Sequence, residues 1–170
     1  WNKSNVTITQ NAGISPENIN NASKMIVSSN ASFAYIHDAL SGSSSKYSIS
    51  AFVKADGRSI VWLYINSSST NGTIYYDLSD GTLQAVAGGS GTPTGTITAF
   101  PNDWYKITYT SPTAFVLNSG SGIGVSDAKG STAATIDGTN GVLIYGLQIE
   151  AQSYATSYIP TAGTTITRAA

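Results

Sequence analysis

The chain has 170 residues, of which only 10% are charged, and its formal net charge is −1. Proteins that bind nucleic acids or insert into anionic membranes present a basic surface, so this balance excludes both as leading functions. The chain has no cysteine, which excludes disulfides and thiolate metal sites, and no apolar run approaches the roughly 20 residues of a membrane span.

The first quarter of the chain predicts three short strands. Apolar residues alternate with threonines over 5–10, which indicates the first strand. Residues 12–21 are rich in asparagine and contain a glycine and a proline, so they predict a loop. An apolar run at 23–28 and an alternation of aromatic and smaller residues at 32–39 predict two more strands, which we expect to pair with each other.

The middle of the chain predicts a meander. The strand at 47–54 alternates, with Tyr47 and Val53 on its apolar face, whereas the strand at 59–66 is apolar on both faces. Asn-Gly and Asp-Gly pairs between extended runs are strong signals for tight hairpins. They join three strands, at 59–66, 73–78 and 82–87.

The last part of the chain predicts further strands at 95–100, 103–110 and 114–117, then a stretch at 118–135 too rich in glycine, serine and alanine for a prediction. The strongest pattern follows at 142–150, where every second residue is apolar, and a final short strand is predicted at 164–168. Period two places Leu143, Tyr145, Leu147 and Ile149 on one buried face, so we expect this strand to be central. The sequence therefore predicts one all-β domain over residues 1–170, a sandwich or barrel, and Trp1 at its start indicates a segment of a longer polypeptide.

Several stretches carry a resemblance that covers nearly the whole chain. They are Tyr145-Gly-Leu-Gln-Ile-Glu-Ala151, Ser157-Tyr-Ile-Pro-Thr161 and Thr165-Ile-Thr-Arg-Ala-Ala170, with Tyr47–Lys54, Asp77–Thr82 and Trp104-Tyr-Lys106 upstream. The chain resembles the jelly-roll, carbohydrate-binding-module-like domains of bacteriophage tail fibres, head fibres and other virion proteins, which usually have Trp-Gly where this chain has Tyr145-Gly146. The resemblance implies a jelly-roll β-sandwich of two antiparallel sheets, located on a phage particle.

The residues needed for common hydrolytic sites are missing from this sequence. The two glutamates, Glu17 and Glu150, have no carboxylate two or four residues away, as paired glycosidase carboxylates on one strand would require. Asp77 and Asp80 flank a hairpin turn, which explains their proximity. His37 is the sole histidine, so a multi-histidine zinc site is impossible. We therefore expect a non-catalytic domain.

Aromatic and amide side chains remain as candidates for ligand binding. A sugar presents flat patches of C–H groups and an edge of hydroxyls, so its site needs aromatic rings with amides or hydroxyls beside them. Trp62 and Tyr64 lie on the same face of one predicted strand, and Tyr35 and His37 share a face that could extend this platform. The predicted site comprises Trp62, Tyr64, Asn66, Tyr75 or Tyr76, and Gln84. The alternative is that Trp62 and Tyr64 belong to the hydrophobic core.

A structural calcium ion is a further possibility, because Asp137 and Asn140 form an oxygen-rich turn with Asp127 near in sequence. These turns also have a sufficient explanation in Asp-Gly and Asn-Gly geometry. The expected partners are host surface glycans, other virion proteins and further copies of the chain, most often three in such fibres. The alternative function is a purely structural domain that decorates a capsid or spaces a fibre.

Overall fold

The computed structural model describes residues 1–39, 41–66, 72–117 and 120–159, and these residues form only strands, turns and loops. Within these ranges no helix is long and apolar enough to cross a membrane. The strands are, in chain order, β1 (Asn2–Ser4), β2 (Val6–Ile14), β3 (Asn20–Val27), β4 (Ala34–Ala39), β5 (Ser44–Ser45), β6 (Ser48–Asp56), β7 (Ile60–Tyr64), β8 (Thr73–Asp77), β9 (Thr82–Val86), β10 (Thr94–Phe100), β11 (Trp104–Thr110), β12 (Phe115–Val116), β13 (Gly120–Val125) and β14 (Gly141–Glu150).

The strands form two six-stranded antiparallel sheets that pack face to face. The first sheet has the order β1-β4-β13-β7-β8-β9, and the second has the order β10-β11-β6-β14-β3-β2; β12 and β5 form a separate short pair. The predicted all-β sandwich is confirmed. The predicted meander is confirmed as well, because β7, β8 and β9 pair consecutively at one side of the first sheet.

One hydrophobic core fills the space between the sheets. Ile49 and Val53 of the second sheet face Val61 and Leu63 of the first, and all four are inaccessible to solvent. Each aliphatic side chain buried in this way contributes about 1.5–3 kcal/mol. The apolar face predicted for the strand at 47–54 therefore lies in the core.

Strand β14 is central in the second sheet, as predicted, but its apolar residues do not share one face. Val142 and Ile144 point into the core, so Leu143 and Tyr145 lie on the outer face of the sheet. A bulge between Tyr145 and Gln148 then inserts one extra residue against β6, with Gly146 at φ 62°. Beyond this bulge the side chains change faces and Leu147 packs against the core. The uninterrupted period-two prediction was wrong for this reason.

The C-terminal motif holds residues 151–159 against the second sheet. A Cβ atom on Gly146 would lie 3.1 Å from the ring of Tyr158, which is a tight contact, and the φ of 62° at this position favours glycine. The amide of Gln148 accepts from one backbone N–H of the segment at 3.2 Å and donates to a carbonyl at 3.4 Å. The carboxylate of Glu150 accepts from another backbone N–H at 2.9 Å. Several residues of the stretches that carry the resemblance thus hold residues 151–159 against the second sheet: Gly146, Gln148, Glu150 and Tyr158.

Two local predictions differ from the structure. Strands β3 and β4 do not pair, because they belong to opposite sheets. The loop predicted at 12–21 is present but shorter, at 15–19, because β2 and β3 extend into both of its ends. Left-handed Asn11 lies where the β2–β3 register becomes irregular. The stretch 118–135 contains β13, which is hidden in the sequence by alternating glycines. The strand predicted at 164–168 lies outside the described residues.

Candidate binding site

The outer face of the first sheet carries two rows of side chains that cross its strands. Antiparallel register brings residues of neighbouring strands side by side, about 4.8 Å apart. The first row is Ser4, Tyr35, Gly124, Trp62, Tyr75 and Gln84; the second is Asn2, His37, Gly122, Tyr64, Thr73 and Val86. The predicted common face of Tyr35, His37, Trp62 and Tyr64 is therefore confirmed.

Trp62 lies flat on the outer face rather than in the core, yet it is only 2% exposed. Its indole occupies the space above Gly124, where a Cβ atom would be 2.2 Å from Cζ2 of the ring. The indole Nε1 donates to the carbonyl of Val125 at 3.1 Å. Trp62 is therefore buried beneath the other rings of the site and has no ring face open to a ligand.

Other aromatic rings surround Trp62. Ring centroids of Phe33, Tyr35 and Tyr64 lie 6.5, 5.7 and 5.3 Å from that of Trp62. The ring of His37 is 4.9 Å from that of Tyr35. Phe33 is 53% exposed, and Tyr35 and Tyr64 are partly exposed. We call Phe33, Tyr35, His37, Trp62 and Tyr64 the aromatic cluster.

The rings of Tyr35 and Tyr64 meet edge to face with centroids 5.7 Å apart. Burial raises the pKa of Tyr64 well above its usual range, and the neighbouring Tyr35 raises it further. The Tyr64 hydroxyl is therefore uncharged near neutral pH, and both phenol groups can donate and accept hydrogen bonds at the centre of the cluster.

The other predicted site residues lie at different places. Tyr75 shares the first row with Trp62 and is 5% exposed. Tyr76 points into the core, where its hydroxyl donates to the carbonyl of Thr108 at 2.5 Å, so it cannot join the platform. Gln84, at the end of the first row, and Asn66, just past β7, are exposed.

A loop that follows β13 packs beside the β8–β9 part of the same face, where Gln84 and Val86 remain exposed. Lys129 donates to Thr82 at 2.8 Å and forms ion pairs with Asp77 at 3.5 Å and Asp80 at 3.8 Å. Gly130 lies beside the amide of Gln84. The accessible aromatic part of the outer face is therefore the part that holds Phe33, Tyr35, His37 and Tyr64.

The oxygen atoms predicted to bind calcium surround an arginine. The guanidinium of Arg58, which is 6% exposed, contacts Asp127 at 2.6 Å and Asp137 at 2.8 Å. Burial of Asp127 raises its pKa, but hydrogen bonds from Arg58 and Thr135 outweigh this, so the net shift is below the ordinary value. Asn140 instead lies against Gly57. A guanidinium at the centre of two carboxylates fits this site better than a divalent cation would, and calcium stays a prediction for experiment.

Phe33 was not predicted as a site residue, although it continues the period-two pattern of Tyr35 and His37 in the sequence. The glycines of β13 are the second missed signal. Gly122 and Gly124 alternate and leave a strip without side chains in the sheet, on which the indole of Trp62 rests.

A separate cleft of about 420 Å³ lies between the two sheets near β1 and the bulge of β14. Ile8, Ile36 and Ile144 line its apolar part, and Trp1 and Tyr158 contribute aromatic rings. Trp1 is 51% exposed, about as much as Phe33 on the other surface. Substitution of each residue in turn can therefore show whether a ligand binds at the aromatic cluster or in the cleft.

Comparisons with models of known protein families and with curated proteins find no match to this chain.

Proposed function

We propose that this chain is a non-catalytic jelly-roll domain of a bacteriophage particle, in a tail fibre, spike or head fibre, and that it binds carbohydrate on the host cell surface. The observation that carries the proposal is the accessible part of the aromatic cluster. There the half-exposed ring of Phe33 lies beside Tyr35, whose ring meets that of Tyr64 edge to face.

The chemistry of this face matches the two surfaces of a sugar. The C–H face of a pyranose ring packs on aromatic rings, which here are Phe33, Tyr35 and Tyr64. The sugar hydroxyls need hydrogen-bonding groups at the margin, which Asn2, Ser4, Thr73 and Asn66 supply. Six strands about 4.8 Å apart span about 24 Å, so even part of the row has room for an oligosaccharide.

The phage setting and the absence of catalysis are parts of the same proposal. The C-terminal motif, which holds residues 151–159 on the second sheet, supports the resemblance to virion domains. The carboxylate of Glu150 accepts hydrogen bonds from the backbone N–H and the hydroxyl of Thr156, so this glutamate has a structural partner. Other virion proteins and further copies of the chain, most often three, are the expected neighbours.

The alternative function is purely structural, and one observation favours it. The edge strands β9 and β10 lie beside each other on one side of the sandwich. Neither contains a charged residue or a proline, the usual protections of a free edge. A neighbouring subunit that covers this side would explain their composition. In that case the domain would space or decorate the particle without binding glycans.

A glycan array probed with the 170-residue chain tests the proposal. We expect selective binding that Phe33→Ala abolishes and Trp1→Ala leaves unchanged, while thermal melts show both variants folded. Loss of binding in Trp1→Ala alone would place the ligand in the cleft between the sheets. A folded wild-type chain that binds no glycan would favour the structural alternative, and sedimentation analysis would then test its self-association.

A further inference from the structure

We propose that the ligand of the aromatic cluster is a neutral oligosaccharide, without carboxylate, sulfate or phosphate groups. This inference rests on the proposed glycan-binding function and specifies its substrate class. It follows from the charges and hydrogen-bonding groups of the two rows, not from the aromatic rings, which would suit charged and neutral sugars alike.

The two rows contain no lysine, arginine, aspartate or glutamate. From Asn2 to Val86 and from Ser4 to Gln84, their side chains are aromatic, hydroxyl, amide or aliphatic, and His37 is the one residue that can carry a charge. The hydroxyl of Tyr64 stays protonated near neutral pH because burial raises its pKa. A ligand on this face would therefore meet neutral hydrogen-bonding groups.

The charged side chains beside the β7–β9 part of the rows are already paired with each other, whereas Lys3 and Asp38 fall on the opposite face of β1 and β4. Asp77 lies two residues past Tyr75 on the same face of β8 and is paired with Lys129, which also contacts Asp80. Arg58 is buried between Asp127 and Asp137. None of these groups is available to neutralise a charged ligand without the loss of an existing ion pair.

An anionic sugar would lose hydration on this face and gain no counter-charge, which is unfavourable for a group placed against aromatic rings. A neutral sugar loses only hydroxyl hydration, and amide and hydroxyl side chains replace it. The neutral ligand is therefore favoured, and its binding should depend little on salt.

The test uses a glycan array of matched pairs, each a neutral galactoside beside its sialylated or sulfated form, followed by titration of the best binder. We expect the neutral member of each bound pair to bind at least about tenfold more tightly. We also expect its Kd to change by less than about twofold between roughly 50 and 500 mM NaCl. Tighter binding of acidic members, or steep salt dependence, would overturn the neutral class while glycan binding stands. Binding to no glycan would contradict the proposed function itself.

A charge-introducing variant tests where the ligand lies. Thr73 is the cross-strand neighbour of Tyr64, so Thr73→Lys places an ammonium group beside the aromatic cluster. We expect this variant to gain salt-sensitive binding to the acidic members of the pairs. Thr94→Lys, on an exposed edge of the other sheet, is the matched control and should gain none. Equal behaviour of the two lysine variants would overturn the placement of the ligand on this face.

Discussion

The indole of Trp62 rests on Gly124, with no room for even a methyl group between them. A Cβ atom at position 124 would lie 2.2 Å from Cζ2 of the indole and 2.7 Å from the carbonyl oxygen of Ala34. The aromatic cluster is thus built upward from a bare strip of backbone in β13. Trp62, which the sequence suggests as part of a ligand platform, is instead the buried support of the aromatic cluster.

Trp62→Ala should therefore unfold or severely destabilise the domain. Removal of a buried tryptophan costs about 3–5 kcal/mol through lost burial and the cavity that remains. Phe33→Ala, at a half-exposed position, should change stability by about 0.5 kcal/mol or less. Urea denaturation of both variants measures the difference, and a Trp62→Ala protein of wild-type stability would contradict the buried position.

Gly124→Ala should destabilise the domain by about 1–3 kcal/mol, because the new methyl group displaces the indole or the neighbouring strand. Gly138→Asn is the control, since no atom lies within 4 Å of its Cβ position and asparagine tolerates its φ of 83°. Thermal melts compare the two. Near-ultraviolet circular dichroism of Gly124→Ala should also show a changed tryptophan environment.

Acidification should weaken the domain partly through Asp127. Its pKa in the folded protein lies below the ordinary 3.8, so its stabilising effect is complete above that pH and is lost as the pH falls through the folded value. Asp127→Asn should lower stability at neutral pH by less than about 1 kcal/mol, because the carboxylate is partly exposed. It should also reduce the loss of stability on acidification. Unfolding measured from neutral pH to below 3.8 tests this, and an unchanged pH profile in the variant would contradict it.

Calcium should not change the melting temperature of the wild-type chain, because Arg58 already provides the positive charge between Asp127 and Asp137. Melts in calcium chloride and in EDTA make the comparison. Arg58→Met keeps an apolar side chain of similar length but removes the charge, and we expect destabilisation of about 3 kcal/mol. A higher melting temperature of the wild type in calcium would establish a metal site.

Glu150→Ala should release residues 151–159 from the second sheet while the sandwich stays folded. The carboxylate accepts from the backbone N–H of Thr156 at 2.9 Å, and its loss leaves that amide free to exchange. Hydrogen exchange should therefore accelerate at Thr156. Asp103→Asn is the control, because it removes a carboxylate on a side chain that is 93% exposed and asparagine tolerates the φ of 61° at this position. Equal protection in both variants would show that Glu150 does not hold the segment.

The sequence by itself determined the class of the fold and many of its strands. Period-two patterns and hairpin turns depend only on neighbouring residues, so the alternation at 47–54 and the meander β7–β9 were predicted correctly. The common face of Trp62 and Tyr64 follows from the same local rule. The strand at 59–66 is apolar on both faces, so its pattern could not indicate which face packs against the other sheet.

The tertiary structure alone decided the exposure of each ring. Trp62 is buried because rings from β4 and the glycines of β13, distant in sequence, meet around it. The bulge at Gly146, against which the ring of Tyr158 packs, reverses the faces of β14. Likewise, the carboxylates of Asp127 and Asp137 converge on Arg58 across many intervening residues. Contacts between distant segments set these features, and no local pattern encodes them.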